Sequence, residues 1–295
     1  MSKNKTPLRY PGGKQKLAGF VLEILEANDL VGGDYVEPYA GGAGVAVELL
    51  LGAKVEHVHL NDSCATVYAF WKAALSKTEE FCRRISSASL TVEEWRRQKE
   101  IFSRPAEFNQ LDLGFSAFYL NRCNRSGIAN GGVIGGLDQK GKWKIDARFP
   151  RNELIRRIEA IASMRDSITV KNWDAEAFIS DYVPKLPKRT LVYCDPPYFR
   201  KADRLYLNHY QPKDHVRLAK VIQTKLKRNW IVSYDSAPEI IAEYSKRKSF
   251  TYQLQYNAGK AYKGSELFVF SDGLSVPEYS TTPFINLGLV SLNDR

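Results

Sequence analysis

Strand-like and helix-like apolar runs take turns along most of this chain, and that alternation limits its fold more than any single residue does. Residues 34–37, DYVE, predict a short strand running into the glycine loop YAGGAG; the helical pattern GVAVELLLG follows, and EHVHLND (56–62) predicts the next strand. Strands joined through a helix lie parallel in one sheet, here with the glycine loop at the first turn. The helix LAGFVLEILEAN (17–28) precedes this unit. Alternation resumes after residue 150 with the helix NELIRRIEAIA, the strand SITVKNW, the short helix DAEAFISDY and the strand TLVYC. The helix HVRLAKVIQTKLK and the strand NWIVSYD follow, and FTYQLQYN with SELFVFS predict a final antiparallel hairpin. The expectation is an α/β fold with a mostly parallel sheet and an antiparallel carboxy-terminal hairpin. Residues 272–295 form a tail without an assignable pattern.

Between residues 76 and 147 the alternation stops. Arginine-studded helices (FCRRISS, EEWRRQKEIF) give way to LGFSAFYLNRCNR and then to the glycine-rich SGIANGGVIGGLDQKGKWKID. This predicts a mainly helical insert, 76–147, in a domain formed by 1–75 and 148–295. A length of 295 residues with 44% hydrophobic content suits one core with such a module. Lys and Arg number 43 against 33 acids, a formal net charge of +10 that favours a polyanionic partner. Four cysteines without CxxC spacing point to reduced thiols in a cytoplasmic protein; with only four histidines no zinc site can be assembled, and no metal is expected. The start MSKNKT is polar, no apolar run reaches the ~18 residues of a bilayer span, and the chain is read as unprocessed. Nothing fixes an oligomeric state, and a monomer is compatible with the sequence.

Open α/β sheets bind ligands where their strands end, and three strand ends here carry chemistry. EPYAGGAG supplies Glu37, Pro38, Gly41 and Gly42, whose glycines let backbone approach a ligand and start a helix over it. Asp62 ends the second strand, placed either to accept hydrogen bonds from a ribose or to cap the following helix. Together these suit a nucleoside-containing cofactor without choosing between NAD and S-adenosylmethionine. YPGGKQK lacks the spacing of a phosphate-binding P-loop. The third end is LVYCDPPY, where two prolines prevent the ladder from continuing. Asp195 beside an outward proline carbonyl forms a double acceptor suited to an NH2 group, and Tyr198 can stack on a flat base. An exocyclic amine on a nucleobase is a poor nucleophile because its lone pair is delocalised into the ring. Acceptors on its two hydrogens would localise that lone pair and aim it at an electrophilic methyl. An NAD oxidoreductase has no use for such a clamp.

Four segments in order, LRYPGGK (8–14), YVEPYAGGAG (35–44), HLND (59–62) and LVYCDPPY (191–198), resemble the Dam-like class of DNA adenine-N6 methyltransferases. In that arrangement the target-recognition insert lies between the cofactor loop and the catalytic corner. AFYLNR (117–122) and VSYD (232–235) also have counterparts there. DPPY alone is shared with cytosine-N4, RNA and protein-glutamine methyltransferases, whereas PGGK with the ordered set is more specific. The resemblance implies a Rossmann-like methyltransferase sheet, S-adenosylmethionine as methyl donor and double-stranded DNA as partner. It places Tyr10 and Lys14 at amino-terminal cofactor contacts, Lys14 near the methionine carboxylate, and Asp62 at the ribose. Trp173 and Asp174 fall where the family often touches the cofactor's adenine. Asp195, Pro196, Pro197 and Tyr198 match the catalytic clamp, with Asp195 also close to the cofactor.

The expected activity is therefore site-specific adenine-N6 methylation of a flipped-out base in duplex DNA. Cytosine-N4 or RNA methylation and a non-catalytic nucleic-acid-binding module are the alternatives. The insert reads CNRSGIANGGVIGG where GATC-type members carry Tyr-Asn-Gly, so the target sequence does not transfer. Arg122, Arg125, Asn130, Lys140, Lys142 and Lys144 are expected groove or phosphate contacts. The arginines at 83, 84, 96 and 97 suit a solvated helix face. His57 and His59 share a strand face without a third metal ligand. Tyr206 and Tyr210 could close over a flipped base, and His209 and His215 flank the same loop.

Overall fold

The architecture is that of a computed structural model, which describes residues 5–9, 14–200, 210–256 and 262–277. Its strands are β1 (Asp34–Glu37), β2 (His57–Asn61), β3 (Ile168–Lys171), β4 (Thr190–Cys194), β5 (Asn229–Asp235), β6 (Ser249–Tyr256) and β7 (Tyr262–Phe270). They form one seven-stranded sheet in the order β3-β2-β1-β4-β5-β7-β6. The first five are parallel, and β7 runs antiparallel to both β5 and β6.

In β4 all five residues are buried, with Leu191 and Tyr193 in one apolar cluster and Val192 and Cys194 in the other. A parallel strand covered on both faces reads as a continuous apolar run, which is why TLVYC does not alternate. The first face is covered by α1 (Ala18–Ala27), α2 (Gly44–Leu51) and α3 (Ala65–Ser76). Three helices follow, α4 (Thr78–Ser87), α5 (Val92–Ser103) and α6 (Gln110–Cys123), and then α7 (Arg151–Ala162). The segment α8 (Ala175–Ala177) continues as a π-turn over Phe178–Tyr182. With α9 (Pro212–Lys225) and α10 (Pro238–Glu243) it lies on the second face.

The expected insert shares the first core with the sheet. Phe118 of α6 stacks on Phe70 of α3 at 6.1 Å between ring centroids, and Phe81 of α4 packs edge-on against both. Two features go beyond the sequence expectation. The helix α10 was not foreseen, and β7 occupies the gap between β5 and β6, a neighbour order that apolar patterning does not encode. Among the described residues no helix is long and apolar enough to cross a membrane, and all four cysteines are free.

Strand β1 sits between β2 and β4, pairing Asp34 with His57 on one side and Thr190 on the other. The chain leaves the end of β1 toward one side of the sheet and the end of β4 toward the other. That reversal opens a crevice over the carboxyl ends of both strands, and the singled-out residues converge on it.

Candidate active site

Glu37 closes β1 and is almost fully buried, its Oε1 accepting the Ala46 N–H of α2 at 3.0 Å. It therefore anchors the glycine loop beneath the crevice. Burial pushes its carboxyl up to about 8, against the opposing Ala46 hydrogen bond. Gly41 has φ of 45°, a left-handed conformation in which a glycine carries no side-chain penalty. Its N–H donates to Asp62 Oδ2 at 2.9 Å, and the Cys64 N–H donates to Asp62 Oδ1 at 2.9 Å. Each carboxylate oxygen keeps a further lone pair, so Asp62 can still accept from a vicinal pair of hydroxyls. Trp71 Nε1 and the Thr6 hydroxyl donate to the Gly41 and Gly42 carbonyls at 2.9 and 2.6 Å, fixing the loop from outside.

Asn61, quoted within HLND but given no role, ties three strand ends together. Fully buried, it accepts the Trp173 N–H at 2.9 Å and donates to the Pro38 and Trp173 carbonyls at 3.0 and 3.1 Å. A polar residue at the end of an otherwise buried strand was the available signal. Trp173 is 40% exposed beyond β3, so its ring is not core. The Asp174 side chain caps α8, accepting from the Glu176 and Ala177 N–H groups.

The clamp lies at the end of β4. Asp195 Oδ1 accepts the Ser233 hydroxyl of β5 at 2.7 Å, and Ser233 is linked to the Tyr193 hydroxyl at 2.8 Å. Lys14 opens the short 3-10 turn Lys14–Leu17 and brings its Nζ to 3.4 Å from Asp195 Oδ1. The same Nζ is 2.5 Å from Glu266 Oε2 and 3.0 Å from the Tyr198 hydroxyl, which donates to Glu266 Oε1 at 2.5 Å. Tyr252 also donates to Glu266 Oε2. Lys14 Nζ is 5.3 Å from the Tyr198 ring centroid, which, with its hydroxyl contact, puts it off the hydroxyl edge and not over the ring face. Burial would discharge Lys14, but Asp195 and Glu266 outweigh it and hold its pKa well above the ordinary lysine value. Burial and then Glu266 raise Asp195, against the pull of Lys14. Burial would also raise Glu266, but Lys14 and its hydroxyl donors hold it below the usual carboxylate range. Pro196 is buried and Pro197 half-buried, so the corner is packed against the protein. Asp235 accepts the Phe199 and Arg200 N–H groups and fastens the chain just after the clamp.

Glu266 was missed by the sequence reading. In SELFVFS it shares a strand face with Phe268 and Phe270, and an acid in that alternation was the clue. Tyr10, Tyr206 and His209 lie outside the described residues. His215 is buried with its Nδ1 on the Tyr234 hydroxyl at 2.8 Å, and Tyr210 meets Tyr39 at 3.1 Å. His57 and His59 are taken up by Thr169, and by Asp34 and Tyr182.

Of the expected DNA contacts, Arg122 is 6% exposed, with Nε donating to the Arg148 carbonyl at 2.6 Å and Nη1 to Pro7 at 3.4 Å. Its donors hold the amino-terminal segment, and burial, with Arg9 nearby, lowers its pKa to about 9. Asn121 grips the same segment, pairing with both the N–H and the carbonyl of Arg9 at 2.7 Å. The AFYLNR helix thus positions the stretch that leads into Lys14. Arg125, Asn130, Lys140, Lys142 and Lys144 are exposed on the loop after α6, as is Trp143. That loop is pinned by Asn124, which donates to the Ile128 and Ala129 carbonyls and accepts from Trp95.

An open α/β sheet with one acid, Asp62, at the end of β2 and another, Asp195, at the end of β4, on either side of β1, is a scaffold suited to a nucleoside-cofactor enzyme. Residues 10–257 match the model of the D12 class N6 adenine-specific DNA methyltransferases, and the chain belongs to that family. It is 24% identical over 203 residues to a DNA adenine methylase of Serratia marcescens, covering 67% of this chain and 68% of that protein. A DNA adenine methylase of Salmonella typhi is also 24% identical over 203 residues, covering 67% of this chain and 66% of its own length. Among solved structures, the rRNA methyltransferase aviRa of Streptomyces viridochromogenes superposes with a TM-score of 0.37 at 13% identity, over 88% of this chain and 86% of its own. S-adenosylmethionine, the methyl donor that the family implies, fits the residues present. Asp62 retains acceptors for a ribose, and Trp173 offers an exposed ring beyond β3, with β2 and β1 between it and the clamp.

Proposed function

We propose that this chain methylates N6 of adenine in duplex DNA, taking the base out of the helix and into the crevice over β1 and β4. The observation that carries this reading is Asp195. Its Oδ1 is fixed by Ser233, while Oδ2 makes no bond to a described residue, and the chain continues from it directly into Pro196, Pro197 and Tyr198. S-adenosylmethionine supplies the electrophilic methyl when bound. The protein's part is to accept the two amine hydrogens at Asp195 and the proline carbonyl, stack the base on Tyr198, and hold the ribose hydroxyls at Asp62.

Extruding a paired adenine costs roughly a few kcal/mol of stacking and pairing, which phosphate contacts offset. Residues 76–147 serve as the recognition module in this reading, with exposed Arg125, Asn130, Lys140 and Lys142 on DNA, and the cytoplasm is the compartment. Glu37 and Pro38 act through the shape of the glycine loop, and Lys14 through the clamp. The test is labelled methyl transfer to mixed-sequence duplex DNA, followed by nucleoside digestion. Asp195→Ala should lose ~10² to 10³ in rate, the usual worth of one preorganised polar contact, while DNA affinity is retained. Methyl groups recovered on cytosine, or on RNA alone, would overturn the assignment.

A further inference from the structure

Glu266 is a fully buried acid on β7, outside every motif that marks the family in this chain, yet it is the hub of the clamp. Burying an ion costs several kcal/mol unless it is well paired, and here one ammonium and two carboxylates are gathered in one place. The distances say which carboxylate holds the cation. Lys14 Nζ is 2.5 Å from Glu266 but 3.4 Å from Asp195, so its closest bond goes to Glu266 and its hold on Asp195 is longer and mainly that of its charge. Glu266 also takes the Tyr198 hydroxyl on its other oxygen, which fixes the ring that would stack on the base.

We propose that Glu266 is a positioning residue for methyl transfer. It holds the Lys14 ammonium closer to itself than to Asp195, so that Asp195 can accept the target amine, and it anchors the hydroxyl end of Tyr198. Among the described residues the cluster sets two carboxylates against one ammonium, a balance that suits an amine that becomes positive as it gains a methyl. The inference rests on the adenine-N6 reading of the same site.

The chemistry gives Glu266 a signature that a merely structural residue would lack. Asp195 must be ionised to accept both amine and charge, so the rate falls on the acid side as Asp195 takes a proton. Glu266 raises Asp195 and Lys14 lowers it. Among the described residues, besides Tyr198 itself, the titratable groups that face the cluster are Tyr35 and Glu37 of β1, Tyr193 and Cys194 of β4, and Tyr252 of β6. Burial pushes Tyr35, Glu37, Tyr193, Cys194 and Tyr252 up, so they stay neutral across that limb.

The experiment is single-turnover methyl transfer to duplex DNA as a function of pH, for the wild type, Glu266→Gln and Lys14→Gln. In Glu266→Gln the ammonium turns to Asp195. The acid limb should then move down by about one pH unit, and the plateau should fall roughly tenfold or more as an acceptor is lost. In Lys14→Gln the limb should move up by a similar amount. Limbs that stay put, or that move in the same direction, overturn the proposal. If Glu266→Gln shows no cooperative melting transition, the Lys14→Gln limb decides alone, and an unmoved limb there is a refutation. Failure of the wild type to methylate adenine would instead remove the underlying functional reading.

Discussion

Glu37 and Asp195 are both acids at strand ends, yet their neighbours give them different work. Asp195 is raised by burial, but a lysine within Coulomb reach and a serine on one oxygen pull against that rise and favour its charged form. Glu37 has one backbone N–H and deep burial, and its carboxyl rises from the usual 4.5 to about 8. The sign follows from linkage. An acid raised in the folded state contributes stability below its unfolded value and loses it as pH rises through the folded one. The wild type should therefore lose stability between about pH 4.5 and 8 through this group. Glu37→Gln keeps an acceptor for Ala46 without the charge. Urea unfolding of the two proteins across that range should give curves that diverge, with the variant relatively more stable at the alkaline end. Parallel curves would show that Glu37 is not the titrating group.

At the level of elements, the close contact between α3 and α6 depends on Gly114. A β-carbon there would stand 2.5 Å from the Ala69 carbonyl oxygen and 3.0 Å from Phe70 Cα, both backbone atoms that cannot swing aside. Gly114→Ala would gain about 1 kcal/mol of helix propensity, but overpacking commonly costs about 1–3 kcal/mol, and here the obstacle is backbone. The variant should be less stable in chemical denaturation, with the Phe70–Phe118 stack disturbed. Unchanged stability would mean that the helices separate at little cost.

The same elements show what was legible in the sequence. Strands β1, β4 and β5 fall where apolar runs and their stops predicted them, because burial on both faces leaves a direct trace in residue type. Asp62, Asp195 and Tyr198 were legible because prolines, glycines and acids at strand ends punctuate that pattern. Arg122 and Glu266 were not, since their roles come from partners distant in sequence. Arg122 meets Pro7 at a separation of 115 positions, and Glu266 meets Lys14 at a separation of 252. No local periodicity announces such pairs, and the hairpin order that brings Glu266 beside the clamp is itself a tertiary choice.

The whole molecule carries a formal charge of +10, and its distribution decides how DNA is held. Many of its arginines are already engaged: Arg84 on Asp112, Arg97 on Glu94, Arg157 on Glu153, Arg217 on Glu176 and Arg122 on carbonyls. Lys144 donates to the Gln139 carbonyl within its own loop. Lys140 and Lys142 remain exposed on that loop, Lys142 with its ammonium 5.9 Å from the exposed Trp143 ring. Each lysine resting on a phosphate releases about one counterion, so the logarithm of affinity falls with the logarithm of salt by about 0.9 per contact. The double variant Lys140→Ala, Lys142→Ala should therefore flatten that slope by about two and weaken binding evenly on unrelated sequences. Its methylation pattern on genomic DNA should stay unchanged, because phosphate contacts position a protein without reading bases. Fluorescence anisotropy over a salt series measures the slope, and sequencing of modified bases reads the pattern. A slope that stays the same would place the phosphate-binding surface elsewhere on the molecule. A changed pattern at constant slope would make these lysines readers of bases, and the loop after α6 would then carry specificity through charge as well as shape.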